Sequence, residues 1–197
     1  MSPTLTTLTA PTDTELQRLH DRLAARAESE HLLAVAYRML DTPIGSLLIA
    51  ATERGLVRVA FENEDTDAVL AELADHVSPR ILRDARRLDL AATELDEYFA
   101  HARTTFDLPL DFALTRGFRG EVQAALTTIP YGATATYGEV AAFVGRPRAA
   151  RAVGSACATN PLPIVLPCHR VVPADGTLGR YRGCAPAKAT LLSFESA

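Results

Sequence analysis

The spacing of hydrophobic positions changes along the chain, and each change predicts a different secondary-structure element. Residues 1–12 are rich in Thr and Pro and are predicted to form a disordered tail. Three leucines at helical spacing then predict a helix over 13–28, and the turn-forming residues 52–55 predict a hairpin between two β-type runs. The leucines are Leu16, Leu19 and Leu23, and the predicted strands are 33–40, 46–52 and 56–61.

Helical spacing returns in the middle of the chain. It predicts helices over 67–77 and 88–102, followed by an extended segment at 106–110 and a linker near 104–116. A small sheet followed by helices indicates an α/β fold class. The expected organisation is an N-terminal extension with a tail and a helix, a small N-terminal α/β sheet domain, and a mostly helical C-terminal domain. These three parts are expected at 1–30, 31–108 and 112–197.

The C-terminal domain contains a pattern typical of a helix-turn-helix. Two short predicted helices, 137–144 and 148–159, are separated by a Gly-Arg-Pro turn at 145–147. The apolar run 164–166 predicts a buried strand that leads into the Pro-Cys-His-Arg sequence 167–170. The remaining elements are predicted as helices at 118–128 and 186–194, with a turn at 175–176.

Composition and charge narrow the class of protein. The chain has 197 residues, 48% of them hydrophobic, which is enough for one large domain or two small ones. It shows no export signal and no apolar run long enough for a bilayer, so we expect a cytoplasmic protein with reduced cysteines and no membrane partner. The net charge is −4, yet residues 146–188 contain seven Arg or Lys residues and one acid. This basic segment favours a nucleic-acid partner, although a solvated Arg-rich face would give the same count.

Cys168 is the leading candidate for chemistry. A thiol becomes a strong nucleophile only as the thiolate, which requires a nearby base or a positive field, and His169 and Arg170 follow it directly. The alternative is that Cys168 is a small buried hydrophobic residue, because adjacency in sequence does not place the imidazole against the sulfur.

A longer stretch around Cys168 resembles a known signature. Residues 160–172, NPLPIVLPCHRVV, are similar to the active-site sequence of the O6-alkylguanine-DNA alkyltransferases. The resemblance covers about 112–195, through IPYG at 129–132, RAVG at 151–154 and several further positions. The first half matches more loosely, and residues 1–30 do not match. The further positions are Tyr137, Gly138, Gly179, Tyr181, Lys188, Leu191, Leu192 and Glu195.

The resemblance implies duplex DNA as the partner. The helix-turn-helix would bind the minor groove, and Arg151 would enter the base stack where the damaged nucleotide is flipped out. The small residues of the second helix would let it approach the sugar-phosphate backbone closely, although they could equally be helix-packing alanines. The implied DNA-binding residues are Tyr137, Arg148, Ala149, Ala150, Arg151, Ala152 and Gly154.

The resemblance also implies a single-use reaction. Cys168 would accept a methyl or other alkyl group from O6-alkylguanine, with O4-alkylthymine left open as a second substrate. His169 would act as base through a water, Glu195 would orient it, Tyr137 would help the guanine leave as a neutral base, and Asn160 would brace the active-site turn. This chemistry needs no cofactor. We also expect no metal, because no histidine before residue 157 has a cysteine near it.

A pocket for the alkyl group is implied around the segment 180–184, which departs from the family pattern, as does Gln123. Gly183 has no side chain to intrude, so an aromatic alkyl group is expected to fit, unless Arg180 or Arg182 closes the opening. The implied pocket residues are Val171, Tyr181, Arg182, Gly183 and Lys188.

Two other functions remain open from the residues alone. A DNA-binding damage sensor or regulator would have the helix-turn-helix without alkyl transfer, although such proteins in the family lack the acceptor cysteine. A cysteine hydrolase would require an oxyanion hole and would leave the DNA-binding segment unexplained. A monomer acting on double-stranded DNA is the favoured expectation.

Overall fold

The structure is a computed structural model that describes residues 11–196. Most of the predicted tail therefore lies outside the described residues. The helices are α1 (Asp13–Ser29), α2 (Thr66–His76), α3 (Asp89–Phe99), α4 (Phe118–Leu126), α5 (Tyr137–Phe143), α6 (Ala150–Ala158) and α7 (Cys184–Glu195). The strands are β1 (Val35–Thr42), β2 (Gly45–Thr52), β3 (Gly55–Phe61), β4 (Ile81–Arg83), β5 (Ala135–Thr136) and β6 (Val171–Val172).

The N-terminal half is built on a four-stranded sheet with the order β3-β2-β1-β4. Strands β1, β2 and β3 are antiparallel, and β4 returns parallel to β1 after the crossover helix α2. The sequence predicted the first three strands within about two residues but missed β4, because a run of three residues carries no alternation. The prediction of a small N-terminal α/β sheet domain and a mostly helical C-terminal part is confirmed.

Alternating side chains of the sheet divide between two hydrophobic clusters. On β2, Leu47 and Ile49 face the larger cluster, which also contains apolar residues of α3 and of the C-terminal half. Leu48 and Ala50 face the smaller cluster with Val69 and others of α2. Because successive side chains of a strand point to opposite faces, one short sheet packs against α2 on one side and supports the C-terminal half on the other.

The two halves are joined by backbone hydrogen bonds as well as by the shared core. The extended segment 109–111 runs beside β3, where Leu56 N donates to Pro109 O and Asp111 N donates to Leu56 O, each at 2.8 Å. Further along β3, Val59 N donates to Pro161 O at 2.8 Å. Strand β3 therefore contacts the turn that precedes Cys168.

Helix α1 begins as its sequence predicts but packs on a different face. Thr12 caps it, and the Glu15 side chain accepts from the Thr12 backbone in a capping box. Its buried residues are Ala24 and Ala27, whereas the three leucines of the predicted apolar face are about half exposed. Within residues 11–196, none of the helices has the length and hydrophobicity required to cross a membrane.

Candidate active site

A tight buried turn places Cys168, and the predicted strand at 164–166 is wrong. These residues form turns, with Ile164 at φ 73°, and not extended backbone. Asn160 closes the turn from within, because its Nδ2 donates to Leu166 O at 2.8 Å and its Oδ1 accepts from Leu162 N at 3.0 Å. The amide thus satisfies backbone groups that a strand would have paired with a neighbour. The apolar residues are buried as predicted.

The turn leads into a short 3-10 helix, Cys168–Arg170, whose three side chains are all buried. His169 Nε2 lies 2.8 Å from Glu195 Oε1 of α7. Arg170 holds the same carboxylate with two bonds, from Nε to Oε2 at 2.7 Å and from Nη2 to Oε1 at 2.9 Å. The segment that carries the thiol is therefore fixed to the last helix by a buried pair of charges.

Glu195 also accepts hydrogen bonds from two donors outside this segment. Tyr98 of α3 donates its hydroxyl to Oε1 at 2.7 Å, and Gly132 N donates to Oε2 at 3.3 Å. Burial opposes ionisation of this carboxyl, but the His169, Arg170 and Tyr98 hydrogen bonds outweigh it and hold the pKa of Glu195 well below its usual range. Glu195 is thus an anion, and an anion accepts only, so the proton between it and His169 resides on Nε2.

The other imidazole nitrogen is the group left for chemistry. His169 Nδ1 is buried and has no hydrogen-bond partner among the described residues. Burial lowers the pKa of His169 in spite of Glu195, which keeps the ring neutral near pH 7. A neutral imidazole with hydrogen on Nε2 has a free lone pair on Nδ1, so this nitrogen can accept a proton.

Cys168 is a neutral thiol at rest. Burial raises its pKa to about 11, although the Asn160 side chain and the Lys188 charge both oppose this rise. Lys188 is itself buried and donates from Nζ to Val171 O at 2.6 Å. Burial lowers the pKa of Lys188, and its charged form lowers the pKa of Cys168 and so favours the thiolate.

A cavity of about 550 Å³ opens at Cys168. Tyr137 stands in it between two glycines: a Cβ on Gly154 of α6 would lie 3.8 Å from its ring, and one on Gly179 would lie 3.4 Å from its hydroxyl. Burial raises the pKa of Tyr137, so its hydroxyl keeps its proton. The lining residues are Tyr137, Arg151, Gly154, Ser155, Cys157, Ala158, Cys168, Pro173, Gly179, Arg180, Tyr181 and Arg182.

Three of the five predicted pocket residues lie elsewhere. Lys188 and Val171 are buried behind the cavity and do not line it. Gly183 faces the N-terminal half, since a Cβ placed on it would come within 2.6 Å of the Phe61 ring. Its lack of a side chain therefore permits contact with β3 and leaves the pocket unaffected. Tyr181 and Arg182 do line the cavity, and the Tyr181 hydroxyl is buried without a partner among residues 11–196.

Six of the seven predicted DNA-binding residues lie in α6 or just before it, and Tyr137 begins α5 and lines the cavity. Helix α6 follows α5 after a bend in which Gly145 adopts φ 72°. Arg151 lies in the first turn of α6 and is exposed, as is Ala152, while Arg148 precedes the helix instead of starting it. Ala149, Ala150 and Gly154 are half-buried.

The basic segment presents less positive charge than its sequence suggests. Arg170 and Lys188 are buried, and Arg182 pairs with Glu64 at 2.7 Å. Arg146, Arg148, Arg151 and Arg180 are exposed, and Arg146 lies 3.6 Å from Glu121. Arg151 and Arg180 line the cavity, so part of the surface charge that remains lies beside the thiol.

Sequence reasoning missed two partners of Glu195. Tyr98 lies in the weakly matching first half, and Arg170 was considered only as a charge near the thiol. The Leu-Asp-Glu-Tyr-Phe run at 95–99 could have pointed to Tyr98, since Leu95 and Tyr98 share a helix face and one polar group then points inward. Within the described part of the chain, no three His, Cys, Asp or Glu side chains come together as a metal site would require.

A buried thiol next in sequence to a histidine that pairs with a carboxylate, on a sheet-and-helix scaffold, is the arrangement expected of a protein with a cysteine nucleophile. Residues 35–112 match the 6-O-methylguanine DNA methyltransferase, ribonuclease-like domain, and residues 117–197 match the DNA binding domain of the same family. The chain therefore belongs to the 6-O-methylguanine DNA methyltransferase family.

Individual relatives agree with this assignment. The chain is 39% identical over 161 residues to the methylated-DNA–protein-cysteine methyltransferase of Mycolicibacterium paratuberculosis, covering 82% of this chain and 92% of that protein. It is similar in structure to Mycobacterium tuberculosis OGT in complex with DNA, with TM-score 0.71, 38% identity and coverage of 82% and 92%. It is also 38% identical to the bifunctional transcriptional activator/DNA repair enzyme Ada of Escherichia coli over 83% of this chain, but it spans only 46% of Ada.

Proposed function

We propose that this protein repairs DNA by transferring an alkyl group from O6-alkylguanine in duplex DNA directly to Cys168. One observation carries the proposal: the buried Cys168 thiol lies at a cavity next to the exposed face of α6. The His169–Glu195 pair adjoins the thiol in the same buried segment. The family and the names of its relatives support a methyl transfer from DNA to a protein cysteine. O6-alkylguanine as the target, with action as a monomer, is the finer part of the proposal.

The reaction begins with proton transfer from Cys168. His169 Nδ1 takes the proton through a water, and the imidazolium that forms is stabilised by Glu195 at 2.8 Å from Nε2. Lys188 and Asn160 favour the resulting thiolate. Burial disfavours an isolated Cys168 thiolate and an isolated His169 imidazolium. The two groups therefore ionise together as a pair, and the nucleophile forms when substrate fills the cavity.

The thiolate then attacks the alkyl carbon in line with the O6–carbon bond. The carbon–sulfur bond forms, the bond to O6 breaks, and its electron pair stays on the guanine. The base leaves neutral after it takes up a proton from the Tyr137 hydroxyl, and the His169 imidazolium returns the proton that it took from Cys168 to the tyrosinate through water, so both groups end neutral. The thioether product is stable and no group in the cavity can hydrolyse it, so each molecule reacts once.

Access to the alkyl group requires the nucleotide to leave the base stack. Arg151, in the first turn of α6, fills the gap, while the small residues of α6 let this helix-turn-helix approach the minor groove. The exposed Arg148 and Arg180 contact phosphates on either side.

Incubation with a duplex carrying one O6-methylguanine, followed by intact-mass measurement, tests the proposal. We expect a permanent gain of one methyl group per molecule, and none with an unmodified duplex or with Cys168→Ala. Binding without a mass change would indicate a damage sensor instead. Neither binding nor a mass change would reject both functions.

A further inference from the structure

The loop between β3 and α2 contacts the segment that forms one wall of the cavity. Asn63 Nδ2 donates to Arg182 O at 3.0 Å, and Arg182 Nε donates to Glu64 Oε2 at 2.7 Å. The Phe61 ring packs edge-on against Tyr181 with centroids 5.4 Å apart. Three successive contacts from the N-terminal half thus hold two residues that face Cys168.

Glu64 is itself held from behind by a buried charge. Arg58 is fully buried and donates from Nη2 to Glu64 Oε2 at 2.6 Å, and Phe61 N donates to Glu64 Oε1 at 3.0 Å. The carboxylate therefore has one orientation, between a buried guanidinium and that of Arg182. A charge-assisted bond with both partners fixed restrains the wall more than a surface pair does.

This arrangement removes Arg182 from the role that the sequence left open for it, closure of the pocket opening, and also from contact with a phosphate. Its guanidinium is turned toward Glu64, so it neither folds over the opening nor lies free for a phosphate. Its backbone is held by Asn63, which fixes the adjoining Tyr181 against Phe61. The shape of the wall is therefore set by residues outside the C-terminal half.

We propose that Glu64 and Asn63 are positioning residues that hold the Tyr181–Arg182 segment in place and thereby determine which alkyl groups Cys168 accepts. This inference rests on the proposed function. The alkyl carbon must lie in line with the sulfur, and the Tyr181–Arg182 wall restricts where the flipped base and its alkyl group lie in the cavity of about 550 Å³. A methyl group makes few contacts of its own and depends on this wall for alignment, whereas a benzyl group contacts more of the cavity lining and depends on the wall less.

The test measures single-turnover rates with duplexes carrying O6-methylguanine or O6-benzylguanine. Arg182→Met removes the contact and leaves the Arg58–Glu64 pair intact, whereas Glu64→Gln weakens it from the other side. We expect each variant to raise the benzyl-to-methyl rate ratio about fivefold, mainly by slowing the methyl reaction. The double variant is expected to match the larger single effect, because both changes break one interaction.

Asp84→Asn is the matched control, because Asp84 is a buried carboxylate of the N-terminal half that pairs with Arg86 at 3.0 Å, away from the cavity lining. It is expected to lower the melting temperature without moving the ratio. An unchanged ratio in Arg182→Met, or the same shift in Asp84→Asn, overturns the positioning role while the proposed function stands. Absence of transfer by the unmodified protein overturns both.

Discussion

The two sides of Cys168 are built differently. On the carboxylate side, Glu195 accepts five hydrogen bonds from Tyr98, Gly132, His169 and Arg170. On the cavity side, the hydroxyl of Tyr181 has no partner among the described residues. The carboxylate itself is therefore fully paired without substrate, whereas two buried polar atoms near the thiol, the Tyr181 hydroxyl and His169 Nδ1, have no partner among the described residues.

The difference shows how one buried site can be both rigid and reactive. A fully satisfied network fixes its members at little cost, whereas a buried polar group without a partner is costly. The two unpaired atoms near the thiol are therefore the polar groups that remain available on this side of the site. We assign the positioning of His169 and Arg170 to the carboxylate side and bond formation to the cavity side. Substitutions on the two sides are therefore expected to have different effects.

The largest effect is expected on the cavity side at the thiol itself. Cys168→Ala should abolish transfer from methylated duplex, because it removes the acceptor atom. Cys157→Ala is the control, since Cys157 also lines the cavity but burial raises its pKa strongly. Peptide mapping after reaction should find the methyl group on Cys168 alone. Label on Cys157 or Cys184 would contradict the assignment.

The next effect is expected on the carboxylate side. Glu195→Gln leaves Arg170 buried without its counter-charge and deprives His169 of its orienting anion. We expect about 3–5 kcal/mol loss in the free energy of unfolding and about 100-fold slower methyl transfer. The control is Glu97→Gln, which breaks a partly exposed ion pair with Arg103 and should change neither the free energy of unfolding nor the transfer rate by a comparable amount. Denaturant unfolding and single-turnover rates measure the two effects. Normal methyl transfer by Glu195→Gln would show that His169 does not need this carboxylate for the reaction.

A third change acts at the rim of the cavity. Arg151→Ala should slow repair of duplex DNA by about 10–100-fold, because extrusion costs a few kcal/mol. Reaction with free O6-benzylguanine base should barely change, since no extrusion is involved. Arg18→Ala removes one exposed charge from α1 and serves as the control for net charge. Equal losses on duplex and free base would reject the extrusion role.

A last prediction concerns the pH dependence of the resting thiol. Because burial raises the pKa of Cys168 to about 11, iodoacetamide labelling should rise about tenfold per pH unit between pH 7 and 10. The folded state favours the neutral thiol, so its contribution to stability is complete below pH 9 and is lost as pH rises from 9 through 11. Labelling in a Cys157→Ser, Cys184→Ser background measures this, and a plateau near pH 7 would show a thiolate at rest.

Local signals made much of the molecule predictable. Strands β1 to β3 alternate in hydrophobicity around a turn-forming sequence, and α5 begins at a Thr136–Glu139 capping box, so their residues carry the information that forms them. Strand β4 was not predicted, because its three residues form a strand only by pairing with β1. The predicted strand at 164–166 was wrong because the Asn160 amide, and not a neighbouring strand, satisfies that backbone.

The candidate site divides in the same way. The sequence by itself determined the thiol, the adjacent histidine and the arginine of α6, because their chemistry is carried by residue type and by a specific local string. Only the tertiary structure decided that Tyr98 and Arg170 share Glu195, that Gly183 faces Phe61, and that Arg182 is held by Glu64. Apart from Arg170–Glu195, which lies within the C-terminal half, these contacts join residues about 100 to 120 positions apart and form only when the two halves pack against each other.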